Sequence, residues 1–409
     1  QVGAAVGAEA RAAGVAVVLG PGMNIKRHPR CGRNFEYFSE DPLLSGRLAA
    51  ALASGIQSQG VGACLKHFAV NNQESHRFVV DAVLDERTLR EIYLAGFEYA
   101  VKVVRPWTVM AAYNLVNGTY ATDNQVLLTQ ILRDEWGFDG LVMSDWGATN
   151  DRVAGVVAGM DLEMPDSKGA FDQQVRAALA TGRLTAADVQ RCADRVVALV
   201  ARSPRQPGPA VDLAAHHDLA RRAAARSAVL LTNDGLLPLQ AQQSVALIGA
   251  FAEQPRFQGA GSSLVNAVQV TTARDAFLDR GIDVTYAPGY HADGSAPDPR
   301  LLAEAVTAAA SADVVVLMVG LPGLFESEGY DRDHLQLPAE QVDLIAAVCA
   351  VNPRTVVALS NGSAVTMSWV KAPAAILECY LGGQASGAAL ADVLYGEEEP
   401  AGRLAETFP

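Results

Sequence analysis

The sequence predicts two α/β domains in tandem, and three observations carry that expectation. At 409 residues the chain is too long for one ordinary hydrophobic core. Short β-rich runs alternate with amphipathic helical stretches in both halves, a pattern that implies parallel sheets with helices outside. Between the halves, RSPRQPGPAVD (202–212) holds three prolines and a glycine, which resist both helix and central strand. The boundaries expected are a first domain over 1–202, a linker over 203–217 and a second domain over 218–409.

In the first half, GVAVVLG (14–20), GVGACLKHF (60–68), TVMAAY (108–113), GLVMSDW (140–146) and GMDLEMP (159–165) read as strands or strand ends. Residues 43–59, 85–101 and 124–136 carry helical periodicity between them, with Asp85 as an N-cap. This sheet is either open or closed into a barrel. After the linker comes a helix from about His216 to Ser227. A second alternating set of strands follows at 244–252, 283–290, 313–320, 355–360 and 374–381, with helices at 300–310 and 338–351. No internal repeat or coiled coil is present.

Composition narrows the function. The chain is 50% hydrophobic with a net charge of -13, and it has no polybasic run. Nucleic acid and anionic membrane surfaces are thereby disfavoured, since both select clustered Lys and Arg. No apolar stretch reaches membrane-spanning length without charges. The five scattered cysteines form no Cys-x-x-Cys pair, so neither a disulfide framework nor a zinc site is expected. No metal or cofactor is expected. The glycine-rich GAGSS (259–263) lacks the Gly-Lys-Ser/Thr ending of a P-loop. Cytoplasmic and secreted locations both remain open.

Five segments carry chemistry. In GLVMSDW an apolar run of strand length ends in Asp145 with Trp146 beside it. At the mouth of a parallel sheet, an acid beside an indole suits a sugar site; a helix N-cap is an equal alternative for the aspartate. Arg33, in RHPRCGRNFEYFSEDP (27–42), can give two parallel bonds to vicinal hydroxyls, or can merely order its loop by pairing with Glu36 or Asp41. Lys66 and His67 end the second apolar run. Neighbours on a strand point to opposite faces, so both enter one site only if the strand ends there. Tyr113 closes the third run, with a hydroxyl free to support a carboxylate or to be satisfied in the core. In the second half, FESEGYDR (325–332) places Glu326 and Glu328 beside a glycine. Such a loop supplies either a mobile general acid or a solvated acidic turn.

Taken together these segments resemble glycoside hydrolase family 3, the two-domain β-glucosidase type. The matching stretches occur in family order: LGPGMNIKRHPRCGRNFEYFSEDP, KHFAVNNQE, LDERTLREIYLAGFE, VMAAYNLVNG, LRDEWGFDGLVMSDW, LLTNDGLLPL, GAGSS, ESEGYDRDHLQLP and AGRLAETFP. The resemblance implies a (β/α)8 TIM-like barrel followed by an α/β sandwich, with the active site between them. It implies a retaining exo-acting β-glucosidase that works through a covalent glycosyl-enzyme on a small or oligosaccharide β-glucoside, with homo-oligomerisation left open. Asp145 falls on the nucleophile position and Trp146 on a subsite wall. Arg33, Lys66, His67 and Tyr113 fall on positions that bind sugar or support the nucleophile. Glu328 is the first choice for the acid/base, with Glu326 two residues away as the alternative. β-Xylosidases and α-arabinosidases share this framework.

Two departures from the family pattern set further expectations. The family has an additional strand and helix before GAAVGAEARAAGVAVVLGP, including a sugar-binding aspartate that no residue here matches. Many members also continue past AETFP. The sequence therefore reads as an internal fragment with a barrel that is N-terminally truncated, and a non-catalytic sugar-binding fragment is the competing expectation.

Overall fold

The computed structural model describes all residues, Gln1–Pro409. The chain divides into two compact units. One comprises Gln1–His28 and Tyr37–Val211, the other Pro29–Glu36 and Asp212–Pro409.

The first unit holds seven strands: β1 (Val17–Val18), β2 (Gly62–Phe68), β3 (Asp81–Ala82), β4 (Thr108–Ala111), β5 (Leu115–Val116), β6 (Thr119–Tyr120) and β7 (Leu141–Ser144). Four of them form a parallel sheet in the order β1-β2-β4-β7. Both faces of β4 and β7 are buried, as parallel strands flanked by crossover helices require. The helix Pro42–Gln57 is started by Asp41, whose carboxylate accepts from the Leu44 amide, and by a proline in its first turn. It covers β2. Strands β3, β5 and β6 make a small separate sheet.

Several elements differ from expectation. The helix expected over 85–101 is interrupted by a π-helical stretch, Leu89–Leu94, and continues over Ala95–Val104. The one expected over 124–136 is a π-helix, Val126–Glu135. Its buried residues are Leu127, Leu128, Ile131 and Leu132, a four-residue repeat that a wider turn keeps on one face. The strand expected at 159–165 shrinks to one parallel bridge, Leu162 to Met143. The cause is Asp161, whose carboxylate takes the Val142 amide that a ladder would otherwise use. The helices Arg152–Ala158, Ala170–Ala180 and Ala186–Arg202 were not expected. They bury few large side chains.

The second unit is built on a six-stranded sheet of β8 (Val229–Asn233), β9 (Val245–Ile248), β10 (Val284–Ala287), β11 (Val314–Gly320), β12 (Thr355–Ser360) and β13 (Ala375–Glu378). The order is β10-β9-β11-β12-β13-β8, parallel except for β8. Every residue of VVVLMVG in β11 is buried, which is why this strand reads as an unbroken apolar run. The helix expected from His216 begins at Leu213, capped by Asp212. The chain visits β10 on one side of β9 and then crosses to β11 on the other. The switch point therefore lies between the C-terminal ends of β9 and β11, where open α/β sheets bind ligands.

Asp161 fastens the strand that carries Asp145. Its fully buried carboxylate accepts from the Val142 amide at 2.8 Å, from Arg133 at 2.8 Å and from Arg195 at 2.8 Å. Removing one partner of a buried pair leaves the others uncompensated, which costs about 3–5 kcal/mol. Asp161→Ala is expected to lose that much stability in urea unfolding followed by tryptophan fluorescence. A change below about 1 kcal/mol, the level of an exposed pair, would show that the two arginines are satisfied elsewhere.

Candidate active site

In the first unit, Asp145 is the residue immediately after β7. Its amide still bonds the Ala111 carbonyl at 2.9 Å, so the strand holds it to the last residue. The chain then turns. The Trp146 amide donates to Asp145 Oδ1 at 2.7 Å and the Ala148 amide to the Asp145 carbonyl at 3.0 Å. Asp145 is buried, whereas Trp146 beside it is 60% exposed. The other carboxylate oxygen, Oδ2, lies 3.6 Å from His67 Nε2.

His67 reaches Asp145 through an irregularity. The register between β2 and β4 shifts between Leu65 and Phe68, which pair with Val109 and Ala111. Three steps along β2 thus match two along β4, a bulge that re-aims the side chains there. His67 is then fixed from both sides. Asn24 brackets its backbone, accepting from its amide at 2.7 Å and donating to its carbonyl at 2.9 Å. The Tyr37 hydroxyl meets Nδ1 at 3.3 Å. Nε2 is the ring nitrogen that faces Asp145. Lys66 is half-buried. Lys66 and Asp145 both act on the buried Cys64 thiol, which burial pushes up to about 12. They therefore share one electrostatic neighbourhood.

The Tyr113 hydroxyl donates to the Trp146 carbonyl at 3.2 Å. It braces the turn that carries the acid. Its ring lies 4.5 Å from the Phe78 ring, and the Arg77 guanidinium sits 4.6 Å over it. Asn24, Tyr37, Arg77 and Phe78 were not singled out in the sequence. Asn24 and Tyr37 lie inside the first matching stretch, and their placement around His67 is what distinguishes them.

In the second unit, two loops leave the switch point. The loop after β9 carries Arg256 and GAGSS, and the loop after β11 carries Glu326 and Glu328. The segment Pro29–Glu36 belongs to this unit although it is encoded early in the chain. It is held by the Arg332 amide on the Arg30 carbonyl at 2.9 Å and by the Gly32 amide on Asp331 at 3.0 Å. Phe35 rests against Gly362, where a Cβ would come within 2.2 Å of it. This brings the buried Arg33 beside two carboxylates, Glu36 and, at 3.5 Å, Glu328. The sequence alternative in which Arg33 pairs with Glu36 is thus met, and a second acid shares the guanidinium.

The two glutamates differ sharply. Glu326 is fully buried, with Oε2 accepting from the Gly362 amide at 2.8 Å and Oε1 from the Ser363 hydroxyl at 2.5 Å. Arg256 lies 3.9 Å away. The Glu328 side chain retains 12% exposure and accepts the Ser262 amide on Oε2 at 2.7 Å. Gly261 precedes that amide with φ at +86°, and a Cβ there would meet Glu328 Cβ at 2.5 Å. Glycine is required for so close a backbone approach.

Residues 1–199 match the model of the glycosyl hydrolase family 3 N terminal domain, and residues 228–409 that of the family's C-terminal domain. The chain belongs to glycosyl hydrolase family 3. Its two matched regions are a barrel-like parallel α/β domain followed by an α/β sheet domain. All of the chain aligns with thermostable β-glucosidase B of Acetivibrio thermocellus, at 52% identity over 55% of that protein. All of it also aligns with an exo-α-(1→6)-L-arabinopyranosidase of Bifidobacterium breve, at 47% identity over 56% of that protein. The chain thus spans about half the length of these curated relatives. The crystal structure of a family 3 β-glucosidase of Bifidobacterium adolescentis superposes on all of the chain and 61% of its own, with a TM-score of 0.95 at 47% identity.

A third carboxyl lies behind Glu326. Glu378, the last residue of β13, is fully buried and accepts from Asn361 at 3.1 Å and from the Tyr380 amide at 2.8 Å. Burial raises its carboxyl to about 8, against the pull of those hydrogen bonds and with Glu406 and Glu326 adding to the rise. The folded protein therefore holds a proton that the unfolded chain releases above the ordinary carboxylate range. Stability from this group is complete below about pH 4.5 and is lost as pH rises toward 8. Melting temperature is expected to decline across that window, and Glu378→Gln, which has no proton to lose, to flatten the decline. An unchanged slope in that variant would show that Glu378 is ionised in the fold.

Proposed function

We propose that this chain carries the catalytic machinery of a retaining, exo-acting β-glucosidase that releases terminal non-reducing β-D-glucosyl residues. The observation that supports it most directly is Asp145. It is a shielded carboxylate at the C-terminal end of a parallel strand, backed by the His67 ring, with an exposed indole alongside. An ionised acid held by a cationic and hydrogen-bonding neighbourhood suits a nucleophile. An exposed indole suits the apolar face of a pyranose. Membership of the family and the names of its β-glucosidase relatives favour the same chemistry.

In this reading Asp145 attacks the anomeric carbon and displaces the aglycone. Glu328 protonates the leaving oxygen and then deprotonates the water that releases the sugar, which gives net retention. Glu328 is preferred to Glu326 because a proton donor must reach substrate. Glu326 is sealed from solvent with both oxygens committed. Arg33, Lys66, His67, Tyr113 and Trp146 are assigned to holding the sugar or the nucleophile. A second specificity, for a terminal arabinopyranosyl unit, is favoured by the Bifidobacterium breve relative. Comparing kcat/KM on aryl β-D-glucoside and aryl α-L-arabinopyranoside separates the two sugars.

Asp145→Ala is expected to lower hydrolysis of an aryl β-glucoside by about a thousandfold or more, with azide restoring turnover and yielding the α-glucosyl azide. Unchanged turnover would overturn the assignment. Glu328→Ala should lose about 10²–10⁴-fold on an alkyl glucoside and far less on a dinitrophenyl glucoside, with azide giving the β-product. If Glu326→Ala shows that leaving-group dependence instead, the acid is Glu326.

A further inference from the structure

Around Glu328 the second unit exposes aliphatic side chains that its own core does not need. Leu264 is 62% exposed, Val265 65% and Val268 78%, all on the loop after β9; on the loop after β11, Leu324 is 69% exposed. Scattered exposed leucines and valines need no explanation. These four, however, sit on two loops that are joined at the candidate acid by the Ser262 amide on Glu328 Oε2.

The first loop is also built to hold its shape. The Leu264 amide bonds the Gly261 carbonyl at 3.2 Å, closing a turn directly after Ser262. The Gln258 side chain then clamps Val265 from both sides, accepting from its amide at 3.0 Å and donating to its carbonyl at 2.9 Å. The polar backbone of Val265 is thereby consumed while its side chain faces solvent. A surface with committed main-chain groups and outward aliphatic groups offers little to a hydroxyl-rich ligand and a good deal to an apolar one.

We infer that Leu264 and Val265, with Leu324 on the neighbouring loop, form a leaving-group contact surface that selects apolar aglycones, alkyl or aryl, over a second sugar. This rests on Glu328 being the acid/base. A general acid must lie within hydrogen-bond reach of the oxygen it protonates, so the departing group emerges beside Glu328. The residues two and three positions beyond Ser262 are then the first that it meets.

The test compares three substrates that share the glucosyl half: hexyl β-glucoside, cellobiose and β-glucosyl fluoride. The first two leave as poor alcohols and differ in polarity, while fluoride needs neither an acid nor an aglycone surface. Leu264→Ser and Val265→Ser are expected to lower kcat/KM for hexyl glucoside about tenfold relative to cellobiose, the scale of lost contacts in an apolar subsite. Glucosyl fluoride should be hydrolysed at the unaltered rate. Equal losses on hexyl glucoside and cellobiose, or no loss on either, would overturn the inference and leave the rim as a surface for another copy or another part of a polypeptide. If no β-glycoside is turned over by the unmodified protein, the functional reading beneath it fails and the inference with it. Loss of fluoride hydrolysis in the serine variants would show a damaged fold, and that too counts against a leaving-group surface confined to the rim.

Discussion

A parallel strand covered on both faces has room for charge only where it ends. In the first unit β4 and β7 are buried throughout, and the first acid after β7 is Asp145, still tied to Ala111 by its amide. In the second unit β11 is apolar along its whole length, and the loop beyond it supplies Glu326 and Glu328. Strand β13 ends on Glu378 in the same way. The apolar ladders thus dictate where ionisable side chains surface, and the hydrogen bonds around each acid decide what it can do there.

Those local bonds separate three glutamates of one unit into three kinds of group. Glu326 is locked by an amide, a hydroxyl and a nearby guanidinium, so it orders the loop that contains it. Glu378 is deep enough for burial to outweigh its two hydrogen bonds, so it holds its proton. Glu328 keeps an opening to solvent, with one amide and Arg33 beside it. Low dielectric makes each of these differences larger than the same contacts would be in water.

Much of the fold was legible because parallel strands write themselves as apolar runs. Val314–Gly320 and Thr355–Ser360 fall within a residue of their expected limits. The helices between Arg152 and Arg202 were not expected, although the longest of them, Ala186–Arg202, carries a clear apolar stripe and a Thr185–Asp188 capping box. Strand β8 was missed because it is an edge strand with mixed burial. At the site, Asp145 was visible as an acid ending an apolar run. What the sequence could not reveal depended on pairings distant in the chain. Asn24 brackets His67 across 43 residues, and Ser262 meets Glu328 across 66. The bulge in β2 was likewise hidden, because it exists only relative to β4.

Pro29–Glu36 gives the second unit a discontinuous sequence, with eight residues encoded ahead of nearly all of the first. Its seat is specific, since Phe35 presses on Gly362 and Gly32 donates to Asp331. During synthesis this strap leaves the ribosome long before the sheet that receives it, so the second unit cannot close on its own contiguous stretch of chain. For exchange of domains between relatives, whether by recombination or by design, a single crossover near the linker separates the strap from its seat. The smallest transferable C-terminal unit therefore has two cuts more than its place in the sequence suggests.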